Sequence, residues 1–266
     1  MLHTLSNGGV VITVQDRSPQ VICKMIQDYK IEVLPASPTL LNLLLISGAY
    51  KNYDFSSLKI ISYGTEPMPE STLNALNELF PGVKLLQTYG LIEVGVLRSK
   101  SKDNNSLWVK IGGEGYETRI VDNMLEIKAD SAMLGYLNAT SPFTEDGWFM
   151  TGDAVEQDGE YIKILGRKSE LINVGGEKVY PVEVESVIQE LEFITDVEVY
   201  GEKNPLSGNI VCARVKVDDP SNFNKLKENI KSHCSSKLER FKVPIKIKMV
   251  DQNLHSFRFK KMRAHE

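Results

Sequence analysis

The stretch Gly166–Glu185, GRKSELINVGGEKVYPVEVE, holds the strongest architectural signal in this chain. It runs from a Gly-Arg pair through a charged connector and a strand-like segment to a Gly-Gly corner and a helix that starts at Pro181. Proline suits the first helical position because its missing N–H would have no acceptor there, and the acidic Glu183 and Glu185 suit the positive end of the helix dipole. This change of character predicts a joint between two domains.

Upstream of this joint, short apolar runs alternate with helical segments over residues 1–100. The pairs Ser18-Pro19 and Ser37-Pro38 are typical helix starts. Because the alternation is regular, it predicts parallel βα units. Strands are expected at residues 10–14, 31–34, 58–62 and 83–86. A helix is expected at residues 69–80. Ligands of such sheets bind beyond the carboxyl ends of the strands, so residues 64–68 and 88–95 are candidate binding loops.

From residue 106 the alternation of strands and helices gives way to short strand candidates separated by Gly, Asp and Asn, the last of them at residues 160–165. That spacing predicts an antiparallel, barrel-like piece over residues 106–166. After Arg167 the chain reads as a smaller α+β unit, with alternating apolar residues at 211–217 typical of a half-buried strand.

We therefore predict an α/β protein with two domains. Residues 1–167 are expected to form the larger one, with βα units over residues 1–100 followed by the barrel-like piece. Residues 168–266 are expected to form a small α+β domain that moves relative to the larger one.

Composition narrows the class of protein. The chain has 266 residues, 42% of them hydrophobic and 25% charged, which is typical of an ordinary globular protein. Its net charge of −4 argues against a nucleic-acid partner. Three cysteines without metal-like spacing favour a reducing compartment, and no apolar run is long enough for a membrane span, so we expect a cytoplasmic location.

Two residues flank the last strand of the barrel-like piece. Asp153, in Thr-Gly-Asp, can accept two hydrogen bonds from a vicinal diol such as ribose, although an ordinary turn aspartate has the same pattern. Arg167 can add donors to the same sugar or to a phosphate, or can form a surface salt bridge. Across one strand, the two predict a shared site.

Three further residues are weaker candidates. Tyr89 could stack on a base and Glu93 could bind Mg²⁺ beside a phosphate, but both also suit loop and core packing. Lys260, in the basic tail, could neutralise a developing oxyanion, although such tails are usually solvated. Arg258, Lys261 and Arg263 are rivals of Lys260 on charge alone.

Read together, these motifs resemble the AMP-forming adenylating enzymes: acyl- and aryl-CoA synthetases, peptide-synthetase adenylation domains and luciferases. The resemblance runs from about residue 5 to the C-terminus. It rests on DFSSLKIISYGTEPMP at 54–69, TYGLIEVG at 88–95 and GWFMTGDAVEQDGEYIKILGRKSELINVGGEKVYPVEVE at 147–185.

The resemblance implies a role for each candidate residue. Contacts to the adenine and ribose of the nucleotide are implied for Gly64, Thr65, Glu66, Pro67, Tyr89, Asp153 and Arg167. Glu93 is implied to be the Mg²⁺ ligand and Lys260 the adenylation lysine. Arg263 is implied to complete the motif of that lysine, and Ser169 to be the inter-domain hinge. The pair Gly175-Gly176 would line the tunnel for the thiol.

The implied reaction has two steps. A small carboxylic acid attacks the α-phosphate of ATP to give an acyl-adenylate, and a thiol of CoA or of a carrier protein's phosphopantetheine then takes the acyl group. The resemblance therefore implies ATP/AMP, Mg²⁺ and such an acceptor as ligands.

The sequence departs from the family in ways that keep a second hypothesis open. It lacks the phosphate loop Ser-Gly-Thr-Thr-Gly-x-Pro-Lys, Ile92 replaces the usual threonine, and Phe259 replaces the glycine before the lysine. The alternative is a non-catalytic adenylate-binding or interaction module, or one half of a split enzyme. A partner chain that supplies the missing N-terminal region, or a homo-oligomer, would then cover the apolar surface left exposed.

Overall fold

The computed structural model describes residues 2–256 and 261–262. Its helices are α1 Leu2–Ser6, α2 Pro19–Asp28, α3 Pro38–Ser47, α4 Glu70–Leu79, α5 Pro181–Gln189 and α6 Phe223–Lys237. Its strands are β1 Val33–Ala36, β2 Ile60–Tyr63, β3 Lys84–Gln87, β4 Tyr89–Leu91, β5 Gly95–Ser101, β6 Trp108–Gly112, β7 Tyr116–Val121, β8 Met124–Ala129, β9 Phe149–Asp158, β10 Tyr161–Arg167, β11 Ile172–Val174, β12 Glu177–Val179, β13 Ile194–Asn204, β14 Gly208–Val217 and β15 Lys246–Met249.

The first sheet is parallel, in the order β1-β2-β3. Its apolar side chains pack with those of the helices between the strands, which include the fully buried Leu41, Leu73 and Leu76. The predicted βα pattern is confirmed, with the strands beginning one or two residues later than expected. Parallel strands need such helices because both faces of the sheet must be covered.

The prediction of a buried strand at residues 10–14 is wrong. The segment adopts neither helix nor strand, and Val10 is 79% exposed. A parallel strand is stable only beside a hydrogen-bonded neighbour. Within the described residues the parallel sheet holds only β1–β3, so apolar character alone did not make this segment a strand.

The second sheet is antiparallel and has the order β4-β5-β6-β10-β9-β8-β7. It is open rather than a closed barrel, because β4 and β7 do not pair with each other in the described part of the chain. Asp153 was expected on a turn but lies inside the long strand β9. The strand is irregular there: Gly152 has a φ of 74°, and the β9–β10 register shifts between Ile164 and Gly166.

The third sheet has the order β12-β11-β14-β13, with β15 parallel to β14. Helices α5 and α6 cover one face of it, and their buried Ile188 and Ile230 join the core of the sheet. Pro181 begins α5, as predicted. The connector Lys168–Glu170 forms a single 3-10 turn between β10 and β11, so the predicted boundary at residue 167 coincides with a change of sheet and stays a prediction.

The third sheet and its helices lie against the earlier part of the chain. The Ser71 amide, at the start of α4, donates a hydrogen bond of 3.2 Å to Ser186 Oγ in α5. The predicted α/β class, with parallel and antiparallel sheets, is confirmed. No helix among the described residues has the length and apolar character needed to cross a bilayer.

Candidate functional site

A cavity of about 210 Å³ lies where the three sheets meet. Its walls come from the ends of β2 and β3, from β9 and β10, and from α5 and β13 of the third sheet. Its lining includes Thr39, Thr65, Glu66, Pro67, Gln87, Tyr89, Asp153, Ile164, Arg167, Glu185, Gln189, Asp196 and Lys261. Of the predicted nucleotide residues, all except Gly64 line this one cavity.

Asp153, Arg167 and Tyr89 form a connected cluster in the cavity wall. Asp153 and Arg167 lie opposite each other in the β9–β10 register, and Arg167 Nε is 2.9 Å from Asp153 Oδ1. The Tyr89 hydroxyl donates a 2.5 Å hydrogen bond to the other oxygen, Oδ2. The side chain of Asp153 is 9% exposed and that of Arg167 is 51% exposed, so the carboxylate is buried while the guanidinium reaches solvent.

Burial sets the protonation of this cluster. Desolvation raises the pKa of Asp153 above its ordinary value of 3.8, and the hydrogen bond from Tyr89 and the charge of Arg167 only partly oppose it. Burial, followed by the nearby Asp153 charge, also raises the pKa of Tyr89, so its hydroxyl remains a donor. The fold therefore holds a carboxylate that lacks sufficient compensation from the protein alone.

We expect Asp153→Asn to change how stability depends on pH. A carboxyl whose folded pKa is raised has no effect on stability below its unfolded pKa near 3.8, destabilises the protein increasingly as pH rises above that value, and has its full effect once pH exceeds the folded pKa. The free energy of unfolding of the wild type, relative to the variant, should therefore fall as pH rises from about 4 and then level off. Urea unfolding of both proteins between about pH 4 and pH 8 measures this.

The matched control is Asp146→Asn. Hydrogen bonds from Arg119 and Thr144 hold the pKa of Asp146 at about 2, so it titrates below that window. This variant should run parallel to the wild type above about pH 4. A parallel course for Asp153→Asn as well would contradict the raised pKa of Asp153.

The loop at residues 64–67 contributes Thr65, Glu66 and Pro67 to the lining of the same cavity. Gly64 lies against the end of β3, where a Cβ atom would be 2.5 Å from the Thr88 carbonyl oxygen. Thr65 has a φ of 71°, an uncommon conformation for a residue with a side chain. Glu66 Oε2 accepts a 2.8 Å hydrogen bond from Thr39 Oγ1, and its Oε1 accepts a 2.7 Å bond from the Lys261 amide.

Glu93 lies outside the cavity lining. Its Oε1 accepts a 2.7 Å hydrogen bond from the Tyr136 hydroxyl, and its carbonyl oxygen accepts the Met133 amide at 2.7 Å. The neighbouring Ile92 is fully exposed. No group of three or more His, Cys, Asp or Glu suited to a metal ion occurs among the described residues.

The hinge and tunnel candidates are also separate from the cavity. Ser169 lies on the exposed 3-10 turn Lys168–Glu170. Gly175 and Gly176 form the exposed turn between β11 and β12, with φ values of 63° and 97°. The Gly176 amide donates to Asn173 Oδ1 at 2.9 Å, which closes a tight turn at this Gly-Gly corner.

Lys260 and Arg263 lie outside the described residues. Lys261, which follows Lys260, is described, and its side chain is only 12% exposed, so this one charge of the basic tail is not solvated. The Lys261 ammonium forms an ion pair with Asp196 Oδ1, and His255 Nδ1 is 3.3 Å from Asp196 Oδ2. The ion pair joins residues far apart in sequence, which is why the sequence did not predict it.

Sequence reasoning also missed two carboxamides in the cavity wall. Gln87 ends β3 and is 5% exposed, while Gln189 ends α5 and is partly buried. The Oε1 atom of each is buried, with no hydrogen-bond partner among the described residues. A buried acceptor without a donor is costly, so both atoms are candidates for bonding to a ligand. A glutamine next to the Tyr-Gly motif was the available sequence signal for Gln87.

Two protein-family profiles match this chain. A profile of the AMP-binding enzyme family matches residues 1–147, and one of the AMP-binding enzyme C-terminal domain matches residues 183–258. Acyl-CoA synthetase 7 of Caenorhabditis elegans is 30% identical, over 94% of this chain and 49% of that protein. 4-Coumarate–CoA ligase 1 of Arabidopsis thaliana is 28% identical, over 91% of this chain and 47% of that protein.

Solved structures with a similar fold come from related enzymes. ATP-bound MatB from Rhodopseudomonas palustris superposes with a TM-score of 0.78 at 25% identity, covering 96% of this chain and 54% of MatB. The anthranilate CoA ligase AuaEII has the same fold, with a TM-score of 0.80 at 22% identity over 96% of this chain and 53% of that one. The chain thus spans about half the length of the relatives it matches. Because the first profile alone covers more than half of the 266 residues, this protein belongs to the AMP-binding enzyme family.

Proposed function

We propose that this chain binds the adenylate of an acyl-AMP in the cavity between its three sheets and serves as part of an AMP-forming acid–thiol ligase. The observation that carries the proposal is the Tyr89–Asp153–Arg167 cluster, because it holds a buried carboxylate with a raised pKa at the edge of that cavity. Two ribose hydroxyls would donate to this carboxylate and compensate its charge.

The remaining lining suits a nucleoside. Residues 65–67 and Ile164 both line the cavity, and in this proposal they would contact a flat base. The exocyclic amine of adenine is a donor, and the buried oxygens of Gln87 and Gln189 are acceptors without partners in the described part of the chain. The half-exposed guanidinium of Arg167 would face the ribose or the phosphate.

Relatives support the same ligand. The structure that matches at 25% identity is of MatB with ATP bound, and the curated relatives named above are CoA ligases. We propose that the carboxylate oxygen of a small organic acid attacks the α-phosphate of ATP, with pyrophosphate as the leaving group. The sulfur of CoA or of a carrier-protein phosphopantetheine would then attack the acyl carbon, and AMP would leave.

Individual residues have separate tasks in this proposal. Lys260 would neutralise the carboxylate and phosphate oxygens during the first step. Ser169, on its exposed turn, would be the hinge, and Gly175-Gly176 would line the path of the thiol afterwards. Glu93 would hold a Mg²⁺ ion, which would supply positive charge beside the phosphates.

One set of observations favours a second candidate function. The sequence has no phosphate loop, the apolar segment at residues 10–14 has no strand partner among the described residues, and the chain spans about half of its relatives. On this reading the chain binds adenylate but needs another polypeptide region for the β- and γ-phosphates. Exchange of pyrophosphate into ATP, measured across a panel of acids, distinguishes the two candidate functions. Exchange that is lost in Lys260→Ala supports the ligase. No exchange in a chain that still binds AMP supports the non-catalytic adenylate-binding function.

Binding is the direct test of the shared claim. We expect calorimetry to detect AMP and a non-hydrolysable acyl-adenylate analogue, with the analogue binding more tightly because it also reaches Lys260. ATP should bind less tightly than AMP if the phosphate loop is needed. A folded sample that binds none of the three at millimolar ligand would exclude the nucleotide site.

A further inference from the structure

A second cavity, of about 530 Å³, lies between the third sheet and the rest of the chain. One side of it is formed by the start of α4 and by β10, and the other by the end of β12 and by α5. It is larger than the cavity described above, called the first cavity, and shares only Pro69, Ile164 and Val182 with it. Small-molecule sites are typically clefts of this size. None of the roles proposed above uses this space, so the second cavity is a candidate site of its own.

The cores of all three sheets leave apolar side chains open to the second cavity. Leu107 packs against the core of the parallel sheet and Ile164 against that of the second sheet. Val187 and Leu238 pack against the core of the third sheet. All four are only partly buried and line the cavity. A ligand with an apolar body would remove this surface from water, and that burial would supply most of the binding free energy.

The charged groups of the second cavity offset one another. The Lys242 side chain, 13% exposed, pairs with Glu183 at 2.6 Å. Glu156 and Lys163 lie opposite each other in the β9–β10 register. The other charges of the lining are an exposed glutamate and an exposed lysine, and a glutamate paired with Lys237: Glu70, Lys178 and Glu190. A charged ligand would lose hydration without gaining an unmatched partner, so an uncharged ligand fits this lining best.

Two polar groups of the lining give such a ligand its hydrogen bonds. The partly buried Tyr180 directly precedes α5, and its hydroxyl makes no hydrogen bond with the described residues. Burial, followed by the nearby charge of Glu156, raises the pKa of Tyr180, so the hydroxyl remains a donor. The carboxylate of Glu156 is an acceptor in the same lining. An amide group, which both accepts and donates, matches this pair.

We propose that the second cavity is an effector site for an uncharged molecule with an apolar body and an amide group. Helix α5 and strand β10 contribute to the walls of both cavities. A ligand in either cavity is therefore held only while α5 lies against β10, so each ligand favours the arrangement that the other needs. The site itself does not depend on the proposed function; only its coupling to AMP binding rests on that function.

The first experiment needs no nucleotide. The probe is N-benzylacetamide, and the full chain is labelled with ¹⁵N-tyrosine so that the Tyr180 amide can be assigned from its absence in Tyr180→Phe. We expect the probe to shift this amide in a saturable way with a Kd in the low millimolar range, about −0.3 kcal/mol per non-hydrogen atom. Two charged analogues, 4-(acetamidomethyl)benzoate and 4-(acetamidomethyl)benzylammonium, should bind at least about fivefold more weakly.

Three outcomes of this titration would overturn the proposal. They are the absence of a saturable shift at Tyr180, equal binding of a charged analogue, and a larger shift at the Tyr89 amide. The last would place the probe in the first cavity, which Tyr89 lines.

A pair of variants on α4 tests where the probe binds. Asn74 is exposed and lines the second cavity, so Asn74→Trp should fill part of it and weaken probe binding at least about tenfold. Glu78→Trp is the matched control, because Glu78 is exposed on the same helix outside the lining, and it should bind the probe as the wild type does. Unchanged binding in Asn74→Trp would overturn the proposal. Should this variant fail to fold, Asn74→Phe decides by the same criterion.

The second experiment tests the effector role. AMP binding is measured by calorimetry with and without saturating N-benzylacetamide. We expect the Kd of AMP to fall about threefold with the probe, and the Kd of the probe to fall by the same factor with AMP. Both effects should vanish in Asn74→Trp. Equal AMP affinity with and without the probe would overturn the effector role. If AMP does not bind at all, the proposed function fails, and the titration of Tyr180 still decides whether the second cavity is a site.

Discussion

Asp153→Asn should weaken AMP binding about 100-fold while the protein stays folded. The carboxylate would accept two ribose hydroxyls, and each charge-assisted hydrogen bond contributes about 1.5 kcal/mol more than its neutral counterpart. Folding should survive because the asparagine oxygen can still accept from Tyr89, and because Arg167 is half exposed and can be solvated. Calorimetric titration with AMP, beside circular dichroism of the same samples, measures both effects.

Asp158→Asn is the control on the same strand. Asp158 ends β9, is exposed, and pairs with Lys102 away from the cavity. It should bind AMP as the wild type does. Near-normal AMP binding by Asp153→Asn would show that this carboxylate does not contact the ligand, and the proposed ribose site would have to be abandoned.

Gly64→Ala is expected to cost about 2–3 kcal/mol of unfolding free energy, because a methyl group is forced into a packed backbone contact. The added Cβ would be 2.5 Å from the Thr88 carbonyl oxygen and 2.6 Å from Thr88 Oγ1. Thr88 cannot move freely, since its amide donates to the Tyr63 carbonyl at 2.7 Å. Relief of the clash must therefore separate the ends of β2 and β3 and displace the loop at residues 64–67. Thermal unfolding should show a Tm lower by roughly 5–10 °C, with weaker AMP binding.

The control for this substitution is Gly82→Ala. Gly82 lies between α4 and β3, where an added Cβ atom would meet no described atom within 4 Å, and its φ is not positive. Its replacement should change the unfolding free energy by less than about 0.5 kcal/mol. Equal Tm values for Gly64→Ala and Gly82→Ala would show that β2 and β3 separate at no cost, contrary to the packing described.

The raised pKa of Asp153 connects stability with the proposed function. A buried carboxylate that the protein compensates only in part is unfavourable without ligand and becomes favourable when a diol donates to it. The uncommon backbone of Thr65, which also lines this cavity, is a second local cost. Both features agree with a site whose geometry is selected for binding at some expense of stability.

Many elements of the fold could be predicted from the sequence because they depend on the spacing of residues close together in the chain. The Pro181 helix start, the strand before Arg167 and the Gly175-Gly176 turn each follow from residues close together in the chain. The pairing of Asp153 with Arg167 was also predictable, because one antiparallel hairpin separates them and sets their register. A motif within one supersecondary unit carries its own geometry.

Other features required the tertiary structure, because they depend on which distant segments meet. The sequence could not show that residues 10–14 lack a strand partner among the described residues, since periodicity reports a preference and not a neighbour. Nor could it show that Lys261 reaches Asp196 and Glu66, or that Gln87 and Gln189 line one cavity. Local residue order was enough to predict most of the helices and strands and to single out the residues proposed to bind the nucleotide. How the tail closes on them depended on packing, because burial and long-range hydrogen bonds exist only after the sheets have come together.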